Sequence, residues 1–166
     1  MKKSISLVGM AGAGKSSIGK QLADYLGFGF IDSDLLIETE HQESLQQVLD
    51  KFGKENFLKI EEKALMSIKF NNTVLATGGS AIFSELAMDY LRSRSSIIFI
   101  KVPYDKIVER VSNFSERGFL KTSDQTIQEA FVERQSLYKN FADYEVANDA
   151  SQEKCLKMIL DLIDQK

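Results

Sequence analysis

Gly9-Met10-Ala11-Gly12-Ala13-Gly14-Lys15-Ser16 fits the pattern G-x-x-x-x-G-K-[S/T]. Glycines let backbone N–H groups converge on phosphate oxygens without interference from side chains. A helix that begins here points the positive end of its dipole at the phosphates. Lys15 supplies a mobile point charge for the β and γ phosphates, and Ser16 offers a hydroxyl ligand to Mg²⁺. The flanks agree with this reading. Ile5-Ser6-Leu7-Val8 is a short apolar strand without turn residues, and residues 18–26 carry Ile18, Leu22, Tyr25 and Leu26 on one helical stripe that Gly27 closes. A strand, a phosphate loop and a helix together predict nucleoside triphosphate binding.

Outward from the loop, strands and helices alternate. Residues 28–31, 73–76, 95–102 and 144–147 read as strands, and Pro103, the only proline, stops the most apolar of them. Helical spacings fill 44–52, 55–70, 84–92, 104–111, 126–138 and 151–163. Strands separated by helices mean parallel crossovers and a layered α/β fold. Residues 33–70 hold more helix than one crossover needs, so a substrate-binding insertion is expected at about 33–62. Residues 112–125 are polar, contain Gly118 and lack periodicity, the marks of a lid.

Composition bounds the rest. The 166 residues fit one domain, 43% of them hydrophobic and 27% charged, as in an ordinary globular protein. A net charge of −3 advertises no nucleic-acid partner. Met1-Lys2-Lys3 is followed by an apolar run too short for a signal peptide or a membrane span, so a cytosolic protein without a membrane partner is expected. Cys155 is the only cysteine and is expected half-buried on the last helix. His41, the only histidine, lies in a polar stretch and is expected to be exposed, which leaves no histidine metal cluster.

The ends of the predicted strands carry the other candidates. Asp32-Ser33-Asp34 ends the second strand, on the sheet edge where the phosphate loop lies. Mg²⁺ takes hard oxygen ligands, and an alcohol kinase needs a carboxylate to accept the hydroxyl proton. Asp32 and Asp34 point the same way if both are extended; the alternative is that Ser33 or Asp34 only caps the next helix. The fourth strand has no aspartate, which moves the metal role towards Asp32. Gly78-Gly79 after the third strand allows close approach of a small substrate. Arg110, Arg117 and Arg134 are candidates for charge on a transferring phosphoryl group, with Arg117 in the lid the best placed.

Taken together, VGMAGAGKSSIGKQLA, FIDSD, LATGG and ERQSLYKNFAD resemble the shikimate kinase family in order and spacing over nearly the whole chain. The resemblance implies a three-layer α/β/α fold: a five-stranded parallel sheet of order 2-3-1-4-5 with helices on both faces, in a single kinase domain over residues 1–166. It implies ATP and Mg²⁺, with Ser16 and Asp32 serving the metal and Gly12, Ala13, Gly14, Lys15, Ser16, Ser17, Arg110 and Arg117 meeting ATP. Asp34, Gly78, Gly79 and Arg134 would hold the acceptor, with Lys15, Asp34 and Arg117 catalytic. It further implies a cytoplasmic monomer making shikimate 3-phosphate for aromatic amino acid biosynthesis.

Three departures bear on the acceptor. The family's arginine after the Gly53 to Phe57 segment is Leu58, its third glycine is Ser80, and its Arg-Pro-Leu-Leu lid reads Arg117-Gly118-Phe119-Leu120. A charge-assisted hydrogen bond contributes roughly 1.5–3 kcal/mol, so an acceptor carboxylate loses a partner at Leu58. Three readings stay open at this point: a shikimate kinase, a related kinase for another small hydroxy acid or polyol, and a non-catalytic nucleotide-binding homologue.

Overall fold

The computed structural model describes residues 3–111, 119–122 and 124–164. Arg117 and most of the 112–125 segment lie outside the described residues. Five strands, β1 (Ile5–Val8), β2 (Gly29–Asp32), β3 (Thr73–Ala76), β4 (Ser96–Lys101) and β5 (Tyr144–Ala147), pair in parallel in the order β2-β3-β1-β4-β5. The helices are α1 (Lys15–Leu26), α2 (Ser33–His41), α3 (Leu45–Ser67), α4 (Glu85–Arg94), α5 (Tyr104–Arg110), α6 (Ile127–Phe141) and α7 (Gln152–Asp164), with a short 3₁₀ turn at Ala81–Phe83. The strand order and the helices around the sheet are those expected.

Strand alternation divides the interior. Leu7, Val74, Ile98 and Ile100 face one apolar cluster, with Ile18 and Leu22 of α1 and Cys155 and Ile159 of α7. Val8, Leu75, Ile97 and Phe99 face the other, with Leu65 of α3, Met88 and Leu91 of α4 and Tyr138 of α6. Because β1 and β4 are covered on both faces, they read as continuous apolar runs rather than alternating ones. Fully burying one such side chain contributes about 1.5–3 kcal/mol.

The insertion has a third, smaller cluster of its own: Ile37, Leu45, Val48, Phe57, Ala64 and Leu120, with Leu58 packed against it. Helices expected separately at 44–52 and 55–70 run together as α3, kinked at Gly53, whose φ of 74° and ψ of 166° lie outside helical space. Two expectations need correction. Cys155 is fully buried rather than half-buried, and burial pushes its thiol up to about 11. His41 is half-buried, its ring edge-on to Phe52 at 5.5 Å. Among the described residues no helix is long and apolar enough to cross a membrane.

Candidate functional site

A cleft of about 540 Å³ opens at the carboxyl ends of the strands, where α1, α2, the loop after β3 and the end of α5 converge. Gly12, Gly14, Lys15, Ser16, Ser17, Asp34, Gly79, Arg110 and Arg134 all line it. Ala13, Asp32 and Gly78 lie close to these residues in the chain without lining the cleft themselves.

The phosphate loop has the backbone its glycines permit. Gly12 and Gly14 have φ of 80° and 90°, and a side chain at Gly14 would bring its Cβ to 2.9 Å from Asn148 Nδ2. Gly14 is the N-cap of α1 and supplies no side-chain acceptor, whereas Asp32, Ser44, Ser84 and Thr126 each cap their helices with a side-chain oxygen. The first N–H groups of α1 have no intrahelical partner, so this end suits an anion. The Ala13 N–H closes the turn onto Met10 O at 3.1 Å, and Ala13 O accepts from Asn148 Nδ2 at 2.9 Å. Arg110 donates to Asn148 O at 3.1 Å, so the end of β5 is tied both to the loop and to the end of α5.

Lys15 is buried, and its ammonium donates to Gly9 O at 2.7 Å and Met10 O at 2.9 Å. Burial lowers its pKa to about 8, opposed by the nearby charges of Asp34, Asp32 and Glu61. Ser16 Oγ donates to Asp32 Oδ2 at 2.6 Å, while Asp32 Oδ1 accepts the Asp34 N–H at 3.0 Å. Asp32, not Ser33 or Asp34, is therefore the cap of α2, and Asp34 has already entered the helix. Ser33 turns inward instead and accepts the Gly78 N–H at 2.9 Å. Burial raises the Asp34 carboxyl to about 6; Lys15 opposes the shift and Asp32 and Glu38 add to it.

Gly78 cannot be replaced cheaply. A Cβ there would overlap Glu61 Oε1 and stand 2.6 Å from Asp34 Oδ1. Gly79 O accepts from the Tyr138 hydroxyl at 2.7 Å, and burial raises the pKa of that hydroxyl. Arg134 is 1% exposed. Its guanidinium lies 4.2 Å from the ring centre of Phe119 and 5.2 Å from that of Phe83, and it donates to Leu120 O. Among the described residues its Nε has no hydrogen-bond partner. Leu58 does not line the cleft; it packs with the apolar cluster of the insertion.

Two residues in and around the cleft, Glu61 and Tyr138, are not among the candidates that the sequence marks. Glu61 is 2% exposed, and burial lifts its carboxyl to about 7 although Ser80 Oγ donates to it at 2.6 Å. A signal for it existed: Phe57, Glu61, Ala64 and Leu65 share one helical face, so Glu61 is a charge on an apolar stripe. Tyr138 gave no such signal, because an aromatic at helical spacing reads as core. Among the described residues no group of three or more His, Cys, Asp or Glu side chains could hold a metal by itself. Ser16 and Asp32 supply adjoining hard oxygens, which suits Mg²⁺ shared with phosphate oxygens and water.

Residues 11–164 match the family model described as shikimate kinase. The chain is 34% identical over 168 residues to the shikimate kinase of Haemophilus influenzae strain PittEE, covering 98% of this chain and 93% of that one. It is 36% identical over 153 residues to the shikimate kinase of Francisella tularensis subsp. novicida, covering 90% and 87%. Among solved structures it resembles shikimate kinase from Acinetobacter baumannii in complex with shikimate, with a TM-score of 0.87, 30% identity, and coverage of 98% and 93%.

Proposed function

Since the chain belongs to the shikimate kinase family, we infer that it transfers the γ-phosphoryl group of ATP to a hydroxyl of shikimate, giving shikimate 3-phosphate and ADP. The observation that carries this reading is that Lys15, Asp34 and Arg134 line one cleft, with the Lys15 and Asp34 charges close enough to act on each other. The loop amides and the start of α1 hold the phosphates, and Lys15 leaves the Gly9 and Met10 carbonyls to follow the γ phosphate. Asp34 accepts the proton of the attacking hydroxyl, for which a carboxyl raised to about 6 is better matched than an ordinary one. Arg134 meets the acceptor carboxylate, and Gly78 and Gly79 let the acceptor approach the backbone. Arg110 borders the adenine; Arg117, outside the described residues, is the phosphate contact that the resemblance implies. When bound, Mg²⁺ neutralises phosphate charge; Ser16 and Asp32 would hold it.

Catalysis by positioning and electrostatics is what phosphoryl transfer demands, and no covalent intermediate on the protein is needed. Support for shikimate as acceptor comes from the similar Acinetobacter baumannii structure, which is described as a complex with shikimate. The same reading takes residues 1–166 as one kinase domain of a cytoplasmic monomer. A coupled ADP-release assay with shikimate, other cyclic hydroxy acids and small polyols tests it. Turnover of shikimate ahead of every other acceptor is expected; turnover of a polyol with none of shikimate would sink the assignment.

A further inference from the structure

We propose that Ser80 is a positioning residue for the acceptor subsite: its hydroxyl anchors Glu61 so that the carboxylates of Glu61 and Asp34 meet over Gly78. The proposal rests on the reading of the cleft as a shikimate site.

Glu61 projects from the apolar face of α3 and is 2% exposed, so its carboxylate must find partners inside the protein. Among the described residues no cation stands within 4.0 Å of it. One turn earlier on the same helix is Leu58, three residues away and therefore its neighbour on the helix surface, but a leucine has no donor to offer. The hydroxyl of Ser80 fills that role at 2.6 Å, the length of a strong bond to a charged acceptor.

Ser80 itself is held from both sides. The preceding carbonyl, Gly79 O, accepts from Tyr138, and Ser80 O accepts the Phe83 N–H at 3.0 Å as the 3₁₀ turn begins. Ser80 lines the cleft, so this fixed backbone sets where the Glu61 carboxylate can lie. With Oε2 on Ser80, Oε1 is directed at Gly78, where Asp34 Oδ1 also points. Asp34 lines the cleft and Glu61 stands behind it, so Ser80, through Glu61, sets the charge against which Asp34 presents its oxygens to the hydroxyls of a polyhydroxy acid. A glycine at position 80 would leave Glu61 without that donor.

Ser80→Ala, with Ser80→Thr as the conservative variant that keeps the hydroxyl, tests this in two ways. In steady-state kinetics Ser80→Ala is expected to raise KM for shikimate about tenfold while kcat falls by at most about threefold and KM for ATP stays put. Ser80→Thr recovers most of the KM. In ¹³C-carboxyl NMR of the protein without substrate, the titration midpoint of Glu61, assigned by its loss in Glu61→Gln, is expected to move up in Ser80→Ala. That second measurement does not depend on the acceptor. If wild-type protein fails to phosphorylate shikimate, the functional reading fails while the NMR shift still reports whether Ser80 governs Glu61. An unmoved Glu61 midpoint, or an unmoved KM in an enzyme that does turn shikimate over, overturns the proposal.

Discussion

The Ser16 hydroxyl donates to Asp32 Oδ2 across 2.6 Å, joining the first turn of α1 to the end of β2. The other oxygen of the same carboxylate caps α2 through the Asp34 N–H, so one side chain has two duties. They can be separated. Asp32→Asn keeps an acceptor for the cap and removes the charge; Asp32→Ala removes both. Both variants are expected to need at least about tenfold more Mg²⁺ for half-maximal activity, since a charged ligand is lost. Only Asp32→Ala is expected to lose about 1 kcal/mol of stability as well, the usual cost of a lost cap. Mg²⁺ titrations of activity and urea unfolding of the two variants decide it.

Lys15 rests on the Gly9 and Met10 carbonyls and is the cation of the phosphate loop. Lys15→Ala is expected to lower kcat by about 10²–10³, the loss seen when one group that stabilises transition-state charge is removed. The fold is expected to survive, because the change deletes a buried charge whose pKa is already depressed to about 8 by that burial. Circular dichroism unchanged with activity gone is the expected pair of results; a variant of wild-type activity would refute the role.

Asp34 can accept a proton only when ionised, and burial sets its pKa at about 6. Below that pH, kcat/KM for shikimate is expected to fall about tenfold per unit as the base becomes protonated. Asp34→Asn is expected to lower activity by about 10²–10⁴ and to flatten this acid limb. A pH–rate profile of both proteins is the check.

Much of this was legible in the sequence, for physical reasons that can be named. The strands at residues 73–76 and 144–147 lie where the sequence places them, because turn residues bound both stretches. In the sequence the kink at Gly53 shows as a gap between helices, since a glycine with positive φ interrupts the pattern without ending the packing. From the sequence, capping of α2 by Ser33 or Asp34 stands as the alternative to a functional pair of aspartates; in the fold Asp32 caps the helix and contacts Ser16 as well. The Ser80–Glu61 and Tyr138–Gly79 bonds span 19 and 59 residues, and no local pattern announces such pairs.

Glu61 gives a stability signature. Its folded carboxyl sits near 7 against an ordinary 4.5, so between those values the native state holds a proton that the unfolded chain has released. Stability must therefore decline as pH climbs through that window, and stay lower above it. Asp34, raised from 3.8 to about 6, adds a decline of the same sign at lower pH. Glu61→Gln keeps an oxygen to accept from Ser80 and carries no charge. It is expected to be more stable than wild type at pH 8, by on the order of 2 kcal/mol, and equal to it near pH 4.5. Urea denaturation at the two pH values measures this, and a gain of equal size at both would argue against the titration of Glu61 as its cause.

Leu58 marks where the acceptor side differs from the family pattern. It packs half-buried against Phe57, Leu45 and their neighbours, and stands one turn from Glu61. Leu58→Arg places a guanidinium beside a carboxylate that, among the described residues, is held by the Ser80 hydroxyl, and adds a second cation to the subsite of Arg134. Its aliphatic stem can keep part of the apolar contact, so the expected stability cost is modest, about 1 kcal/mol. A charge-assisted bond to the acceptor carboxylate is expected to lower KM for shikimate by about tenfold. The gain should be absent for a neutral polyol, which has no carboxylate to meet the new charge. An unchanged or higher KM for shikimate would mean that the pocket around Arg134, Phe119 and Glu61 is shaped to bind the acid with one arginine alone.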